Sequence, residues 1–295
     1  MNFHSKKCKV VIAAPSAHNE QITMLTSAGA QVKVLPNPTE AELIEESRNA
    51  SAIIVGIAKI TDKIIKEATQ LKIIARQCVG YDNVDIETAT QEGIFVTNTP
   101  AVNAQAVAEY TFGLILSLTR KITSADTVMK SGGWRKKEYW GIELKGKIMG
   151  IIGFGHIGSK VAILAKGFGM RVLACDPYVS QNKASPVGVE LVDMDSLLVK
   201  SDVVSLHVNL SEQTKGLIGK RELARMKKRA YLINVARGEV VDEKALYEAL
   251  KNGSIAGAAL DVFKEEPPLD YSIVKLPHVL ATPHIAAWTE EARRR

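Results

Sequence analysis

The chain has 295 residues, of which 46% are hydrophobic and 24% are charged, and its formal net charge is +6. This balance is typical of a folded globular protein and excludes disordered, collagen-like and small disulfide-rich chains. Three cysteines, Cys8, Cys78 and Cys175, show no spacing that indicates a disulfide framework or a metal site. The richest apolar run, 112–118, is far shorter than the roughly 20 residues that a membrane helix needs.

The positive charge is scattered along the chain rather than gathered into a stripe. Two local basic runs, 134–137 and 293–295, are not accompanied by a nucleic-acid-binding motif. We therefore expect no nucleic-acid partner and no membrane partner, and an anionic small molecule fits the charge. The cysteine content favours a reducing compartment, so we expect a cytoplasmic location.

Short apolar runs alternate with amphipathic stretches over the first hundred residues, a pattern typical of a parallel sheet with crossover helices. The apolar runs predict strands over 10–14, 31–35, 52–55, 72–75 and 94–97. The amphipathic stretches predict helices near 19–28, 39–48, 62–69 and 85–91. We therefore expect a doubly wound α/β domain over 1–99.

The pattern breaks at Asn98-Thr99-Pro100, and a long helical stretch follows over 101–121. A predicted loop with Gly132, Gly133 and a basic run comes next, and a second alternating series begins at Lys147. We expect a second α/β domain over 100–285. The last residues, 286–295, are expected to begin a helix that returns towards the first domain.

A glycine motif follows the first strand of this second series. The predicted strand 147–152 leads into Gly153-Phe154-Gly155-His156-Ile157-Gly158, a helix is predicted from Ser159, and the next strand ends in Asp176. Such glycines allow a tight turn and a close approach of a pyrophosphate to the backbone at a helix N-terminus. Asp176, 18 residues beyond the third glycine, can accept hydrogen bonds from ribose hydroxyls and repel a 2′-phosphate. The sequence therefore predicts NAD rather than NADP as the cofactor.

Polar side chains follow the later strands of the second domain. Arg237 follows a strand over 231–235, Asp261 and Glu266 follow one over 256–260, and His284 follows one over 279–281. Ligands of parallel sheets bind beyond the carboxyl ends of the strands, so these residues are expected at the edge that holds the dinucleotide.

This set is suited to the reduction of a 2-keto acid. Arg237 can bind a carboxylate through its planar guanidinium, and His284 can protonate the carbonyl oxygen as hydride arrives. Glu266 can hydrogen-bond the imidazole and fix its orientation, and Asp261 is expected near the nicotinamide. Of the rival histidines, His156 would face the cofactor and His207 would line its adenosine side. In the first domain, backbone N–H groups at Cys78, Val79 and Gly80 could bind the substrate carboxylate.

These residues together resemble the D-isomer-specific 2-hydroxyacid dehydrogenase family. The resemblance extends over nearly the whole chain and rests on the motifs at 79–83, 99–100, 107–109, 153–158, 234–238, 261–267 and 283–284. It implies NAD(H)-linked interconversion of 2-keto and D-2-hydroxy acids. It also implies that Arg237 anchors the substrate, that Glu266 and His284 form the acid/base pair, and that a homodimer pairs through 101–146.

The complete expected site is larger than the catalytic set. Substrate binding is expected at Cys78, Val79, Gly80, Arg237 and His284, and no metal is expected. Cofactor binding is expected at Gly153, Gly155, His156, Ile157, Gly158, Asp176, His207, Val208, Val235, Ala236, Asp261 and Ala287.

The choice of substrate stays open at this point. The stretch 134–146 is similar to D-3-phosphoglycerate dehydrogenases, which we take as the leading hypothesis, and 78–83 is as similar to glyoxylate and hydroxypyruvate reductases. Phosphoglycerate enzymes often carry Arg-Ser where this chain has Gly56-Ile57, and Asn209 replaces a usual proline. A phosphate-bearing substrate becomes credible if the basic run at 134–137 reaches the cleft.

Because the chain ends 11 residues after His284, the family's C-terminal helix is expected to be cut short, with no appended regulatory domain. The alternative of another class is an NADH-sensing corepressor without enzymatic activity.

Overall fold

The computed structural model of the protein describes residues 8–15, 19–134 and 137–295. The chain divides into two compact units, Met1–Val102 and Asn103–Arg295, called unit 1 and unit 2 below. Arg135 and Lys136 of the basic run lie outside the described residues. Within the described ranges, no helix has both the length and the apolar character needed to cross a bilayer.

Unit 1 is a five-stranded parallel sheet with strand order β2-β1-β3-β4-β5. Its strands are β1 (Lys9–Ala13), β2 (Gln31–Val34), β3 (Ala52–Val55), β4 (Ile73–Arg76) and β5 (Phe95–Thr97). Its helices are α1 (Asn19–Ser27), α2 (Glu40–Ser47), α3 (Asp62–Glu67) and α4 (Ile86–Gln91). The strand order is that of a flavodoxin-like doubly wound sheet, so the predicted fold class of this part is confirmed.

Local sequence accounts for these elements. The N-terminus of α2 is fixed by a capping box, in which Glu42 N–H donates to the Thr39 hydroxyl and the Glu42 carboxylate accepts from Thr39 N–H. Along β3, Ile53 and Val55 are fully buried and pack with Leu43 of α2 on one face of the sheet. Apolar residues on both faces of the central strands explain why these strands appear as nearly continuous apolar runs in the sequence.

Unit 2 is a seven-stranded parallel sheet with strand order β12-β11-β10-β9-β6-β7-β8. Its strands are β6 (Ile148–Ile152), β7 (Arg171–Cys175), β8 (Glu190–Leu191), β9 (Val203–Leu206), β10 (Tyr231–Asn234), β11 (Gly257–Leu260) and β12 (Val279–Ala281). Its helices are α5 (Ala104–Thr119), α6 (Ile122–Lys130), α7 (His156–Gly167), α8 (Gln181–Ala184), α9 (Met194–Lys200), α10 (Lys220–Arg225), α11 (Glu243–Lys251) and α12 (Glu290–Arg294). The strand order reverses beside β6, between β7 and β9, which is the Rossmann arrangement and confirms the predicted fold class of the second domain.

Two details of the predicted elements are wrong. The segment after Lys121 is not a loop throughout, because it contains α6, a helix that buries none of its residues. Hydroxyls of Ser124 and Thr127 bond back to carbonyls of the preceding turn, and such residues have low helix propensity, so the helical pattern is weak there. Helix α7 begins at His156 rather than Ser159, since Gly155 inside the glycine motif is its N-cap.

A buried aspartate joins three segments at the amino-terminal edge of the second sheet. Asp202 Oδ2 accepts from the Ile148 N–H at 2.9 Å, and Oδ1 lies 2.9 Å from Lys227 Nζ. Burial raises the pKa of this carboxyl. This effect is outweighed by the hydrogen bonds from Lys227 and Ile148 and by the charges of Lys227 and Arg229, so the pKa lies below its ordinary value. The ionised form therefore stabilises the start of β6 against β9.

We expect Asp202→Asn to lower the free energy of unfolding by about 1–3 kcal/mol at pH 7. A carboxylate whose pKa is depressed in the folded state contributes its full stabilisation of the fold above its unfolded-state pKa of about 3.9. This contribution is lost as the pH falls through the folded-state pKa. The difference between wild type and variant, measured by urea unfolding, should therefore be constant near neutral pH and shrink in acid. Asp195→Asn, which removes an exposed ion pair with Arg221, is the matched control and should cost much less. Equal losses for the two variants would contradict this role of Asp202.

Candidate active site

The glycine turn joins β6 to α7 at the carboxyl edge of the second sheet. Gly153 has a φ of +90°, a conformation that L side chains rarely adopt, and a Cβ there would press on the backbone of His207. Gly158 lies so close to the Gly153 carbonyl that any Cβ would overlap it. These two glycines are therefore required by the turn itself.

Gly155 differs from its neighbours in the motif. A Cβ at Gly155 would meet no protein atom within 4 Å, and no side chain caps the helix that starts after it. The first N–H groups of α7 thus face open space at the positive end of the helix dipole, with His156 exposed beside them. This arrangement leaves room for a pyrophosphate at the N-terminus of α7.

Asp176 directly follows β7 and holds the turn in place. Its Oδ2 accepts from the Phe154 N–H at 2.8 Å, and its Oδ1 accepts from the Tyr178 N–H at 2.8 Å. Each carboxylate oxygen has a further lone pair, so hydrogen bonds from ribose hydroxyls are compatible with both contacts. The residue therefore stabilises the glycine turn in addition to the cofactor role predicted for it.

His207 follows β9 and lies against the glycine turn. Its Nε2 is 2.9 Å from the Ser205 hydroxyl, and its Nδ1 is buried with no hydrogen-bond partner among the described residues. Burial lowers the pKa of this imidazole to about 3, so the ring is neutral near pH 7. The ring is therefore not an acid/base group near neutral pH, which agrees with the sequence interpretation that left proton transfer to His284.

The loop after β10 positions Arg237. Asn234 is buried, donates from Nδ2 to the Arg237 carbonyl at 2.9 Å and accepts from the Ala236 N–H at 3.1 Å. The Arg237 guanidinium donates to the Ala236 carbonyl at 2.8 Å. Gly238 then lies so close to the Phe263 carbonyl that no side chain could be accommodated, so the arginine loop packs directly against the loop after β11. Asn234 was assigned no role from the sequence, although an amide side chain three residues before the arginine was a usable turn signal.

Glu266 and His284 form a hydrogen-bonded pair. The distance from His284 Nδ1 to Glu266 Oε2 is 2.7 Å, and Glu266 Oε1 accepts from the Phe263 N–H at 3.1 Å. Burial raises the pKa of Glu266. This effect is outweighed by the hydrogen bond and charge of His284, the hydrogen bond from the Phe263 N–H and the charge of Arg237, so the pKa of Glu266 lies below its ordinary value. The carboxylate is ionised near neutral pH and accepts the Nδ1 proton, which leaves Nε2 of the imidazole available for substrate.

Asp261 is completely buried at the end of β11. Its carboxylate accepts hydrogen bonds from the Thr282 hydroxyl and from the N–H groups of Ile285 and Ala286. The structure thus gives Asp261 a contact with the loop that carries His284, which sequence analysis did not foresee, and its contact with nicotinamide stays a prediction. The remaining predicted cofactor residues flank these loops: Ile157 in α7, Val208 after β9, Val235 and Ala236 after β10, and Ala287 after Ala286.

In unit 1, the loop after β4 carries the predicted substrate contacts. The Cys78 carbonyl accepts from the Thr99 N–H, and the Val79 carbonyl accepts from Asn98 Nδ2 at 2.8 Å. For the N–H groups of Val79 and Gly80, the structure shows no acceptor within the described residues. Two adjacent N–H donors on an anchored loop are suited to binding an anion.

Comparison with known families agrees with this geometry. Residues 112–286 match the model of the D-isomer-specific 2-hydroxyacid dehydrogenase NAD-binding domain. D-3-phosphoglycerate dehydrogenase of Methanocaldococcus jannaschii is 44% identical over 97% of this chain and 55% of its own length. Glyoxylate reductase of Thermococcus litoralis is 46% identical over 87% of this chain and 80% of its own length.

A solved structure agrees as well. D-Lactate dehydrogenase from Aquifex aeolicus, complexed with NAD and lactic acid, superimposes with a TM-score of 0.89 and 30% identity, covering 97% of this chain and 91% of that one. The chain therefore belongs to the D-isomer-specific 2-hydroxyacid dehydrogenase family, as its sequence motifs indicated. It spans about half the length of the phosphoglycerate dehydrogenase it matches.

The residues present fit NAD(H), the cofactor of this family's NAD-binding domain. The open space at Gly155 would hold the pyrophosphate, the N–H groups at the start of α7 would bind its oxygens, and Asp176 would accept from the ribose. No positively charged side chain is required for the phosphates, because the helix N-terminus supplies the donors.

Gly155→Ala should weaken cofactor binding without destabilising the protein. Its Cβ would meet no protein atom, so the fold tolerates it, but it occupies the space that the pyrophosphate needs. We expect the Kd for NADH, measured by fluorescence titration, to rise by at least about 10-fold while the thermal midpoint is unchanged. Gly158→Ala is the matched control and should lower the thermal midpoint. Unaltered NADH affinity in the Gly155 variant would place the dinucleotide elsewhere.

Asp176→Asn should reduce the preference for NAD(H) over NADP(H). The amide keeps an acceptor for the Phe154 N–H but removes the negative charge that repels a 2′-phosphate. We expect the ratio of the two Kd values to fall by about 10- to 100-fold, since hydrogen bonds to charged groups contribute about 1.5–3 kcal/mol. Glu190→Gln, an exposed acid on the neighbouring β8, is the control. An unchanged ratio in the Asp176 variant would remove this residue from cofactor selection.

Proposed function

We propose that the protein is an NAD-dependent dehydrogenase that interconverts a small D-2-hydroxy acid and its 2-keto acid, with D-3-phosphoglycerate as the leading substrate. The observation that carries this proposal is the 2.7 Å Glu266–His284 pair, located near Arg237 in the unit whose glycine turn accommodates NAD(H). A proton donor and a guanidinium beside a dinucleotide site are the groups that such a reaction requires.

Arg237 is assigned to the substrate. Its guanidinium can bind the carboxylate in a bidentate manner and polarise the adjacent carbonyl. Within unit 1, the N–H groups of Val79 and Gly80 are assigned to anion binding.

His284 is assigned to the proton. Bound NAD(H) supplies or accepts the hydride at C2. Nε2 of His284 donates a proton to the carbonyl oxygen during reduction and accepts it during oxidation. The ionised Glu266 binds Nδ1, which keeps the ring in one orientation.

Different observations support the leading substrate, D-3-phosphoglycerate, and the second candidate. The phosphoglycerate dehydrogenase from Methanocaldococcus jannaschii matches 97% of this chain, which supports the leading assignment. Gly56 favours a second candidate, a glyoxylate or hydroxypyruvate reductase. Phosphoglycerate enzymes often carry an arginine at this position, but here a Cβ would lie 2.9 Å from the Ala14 Cβ. An arginine side chain at that position would require Ala14 to shift, and the next residue, Ile57, is 69% exposed and apolar.

We also propose that the protein is a homodimer. The segment 101–146 carries large exposed apolar side chains, Ile122 and Met129 on α6 and Trp140 beyond it. Burial of such side chains against a second copy would remove apolar area from water.

Turnover on a panel of 2-keto acids tests the proposed function. NADH oxidation would be measured with 3-phosphohydroxypyruvate, hydroxypyruvate, glyoxylate and pyruvate at equal concentrations. The highest kcat/KM with 3-phosphohydroxypyruvate supports the leading assignment, and the highest value with glyoxylate or hydroxypyruvate selects the second candidate. NADH binding without turnover on any of the four acids would contradict the enzymatic function and favour a sensor.

His284→Ala should lower kcat by about 10²- to 10⁴-fold, the usual contribution of a general acid/base. The thermal midpoint and the NADH affinity should be unchanged, since the side chain is partly exposed and outside the glycine turn. His278→Gln is the matched control, because His278 lies at the opposite end of β12, where it contacts the Leu250 carbonyl. Wild-type turnover of His284→Ala, or an equal loss in the control, would exclude the assigned role.

A further inference from the structure

The backbone of His284 has a conformation that needs external support. Its φ is +54°, in the left-handed region, where a residue with a Cβ is strained. The residue follows β12 by three positions and lies in an irregular loop. Such strain persists only where the surrounding structure holds the residue on several sides.

Asp261 supplies that support. The His284 N–H donates to the Asp261 carbonyl at 2.7 Å. The Asp261 carboxylate, which is fully buried, accepts from the Thr282 hydroxyl at 2.6 Å, from the Ile285 N–H at 3.0 Å and from the Ala286 N–H at 2.9 Å. The donors lie on both sides of His284 in the sequence, so the carboxylate clamps the loop around it.

Thr282 provides the side-chain contact on the amino-terminal side of this clamp. Its hydroxyl has one proton, which goes to the Asp261 carboxylate. Its backbone carbonyl accepts from the His284 N–H at 3.1 Å, so Thr282 contacts both the buried carboxylate and the histidine.

We propose that Thr282 is a positioning residue for the acid/base histidine. The inference rests on the proposed function and deepens it. Removal of the Thr282 hydroxyl leaves the Asp261 carboxylate without one of its three donors, which weakens the support for the left-handed geometry of His284. The imidazole loses its alignment with Glu266, 2.7 Å away, and with the carbonyl oxygen of the substrate.

Thr282→Val and Thr282→Ser form a matched pair for the kinetic test. Valine has nearly the shape of threonine without the hydroxyl, and serine retains the hydroxyl. We expect Thr282→Val to lower kcat by about 10- to 100-fold, a loss typical of a displaced catalytic group, with the Kd for NADH unchanged, and Thr282→Ser to restore most of kcat. Wild-type kcat in Thr282→Val would overturn the proposal, and if that variant does not fold, wild-type kcat in Thr282→Ala would do so.

A double-mutant cycle separates positioning from a general structural effect. If Thr282 acts through His284, then Thr282→Val should cause no further loss of kcat in the His284→Ala background. An equal fold-loss in both backgrounds would overturn the proposal.

Proton NMR supplies a readout that does not depend on turnover. The Nδ1 proton of His284 in its hydrogen bond to Glu266 should give a downfield signal in wild type and in Thr282→Ser, identified by its loss in His284→Ala, and it should be lost or broadened in Thr282→Val. Persistence of an unchanged signal in Thr282→Val would contradict the positioning role. If the wild-type protein turns over no keto acid but the signal behaves as expected, the proposed function fails while the coupling of Thr282 to His284 stands.

Discussion

Parallel strand direction is the constraint from which the candidate site follows. In a parallel sheet every strand ends at the same edge, so side chains that are far apart in sequence are delivered to one place. In unit 2 the edge receives the glycine turn from β6, Asp176 from β7, Arg237 from β10, Glu266 beyond β11 and His284 beyond β12. The order of these residues along the chain does not matter for the chemistry, but their location at one edge of the sheet does.

The loops at this edge are fixed by buried polar groups rather than by regular secondary structure. Asn234 holds the arginine loop, the Phe263 N–H holds Glu266, and Asp261 holds the loop of His284. Each of these hydrogen bonds joins a side chain to a backbone group, so the local backbone is specified by bonds whose loss leaves a polar group unsatisfied. Side chains on such loops are held in place by this surrounding network.

Much of this arrangement was predictable from the sequence. The strand over Ala52–Val55 and the strand over Val279–Ala281 have the predicted bounds, because apolar runs between turn residues define buried parallel strands. The glycine motif and the acid after β7 predicted a dinucleotide site, and the strand-end positions of Arg237, Glu266 and His284 predicted where they lie. The pairing of Glu266 with His284 could be expected because both follow neighbouring strands, β11 and β12.

What the sequence did not reveal depends on tertiary contacts. Helix α6 has low propensity and no buried face, so its residues carry no periodic signal. The contact of Asp261 with three donors of the 282–286 loop requires that loop to fold back over β11, which a spacing of 21 residues between Asp261 and Thr282 does not indicate. The left-handed conformation of His284 is likewise invisible in the sequence, since histidine after proline is usually compatible with ordinary backbone angles.

A crystal structure of the protein with bound NADH tests the central claim most directly. The account predicts the pyrophosphate on the first N–H groups of α7 beside Gly155, the adenosine ribose on Asp176 and nicotinamide C4 facing the imidazole of His284. A dinucleotide bound at another edge of the sheet, or a nicotinamide ring directed away from His284, would contradict it.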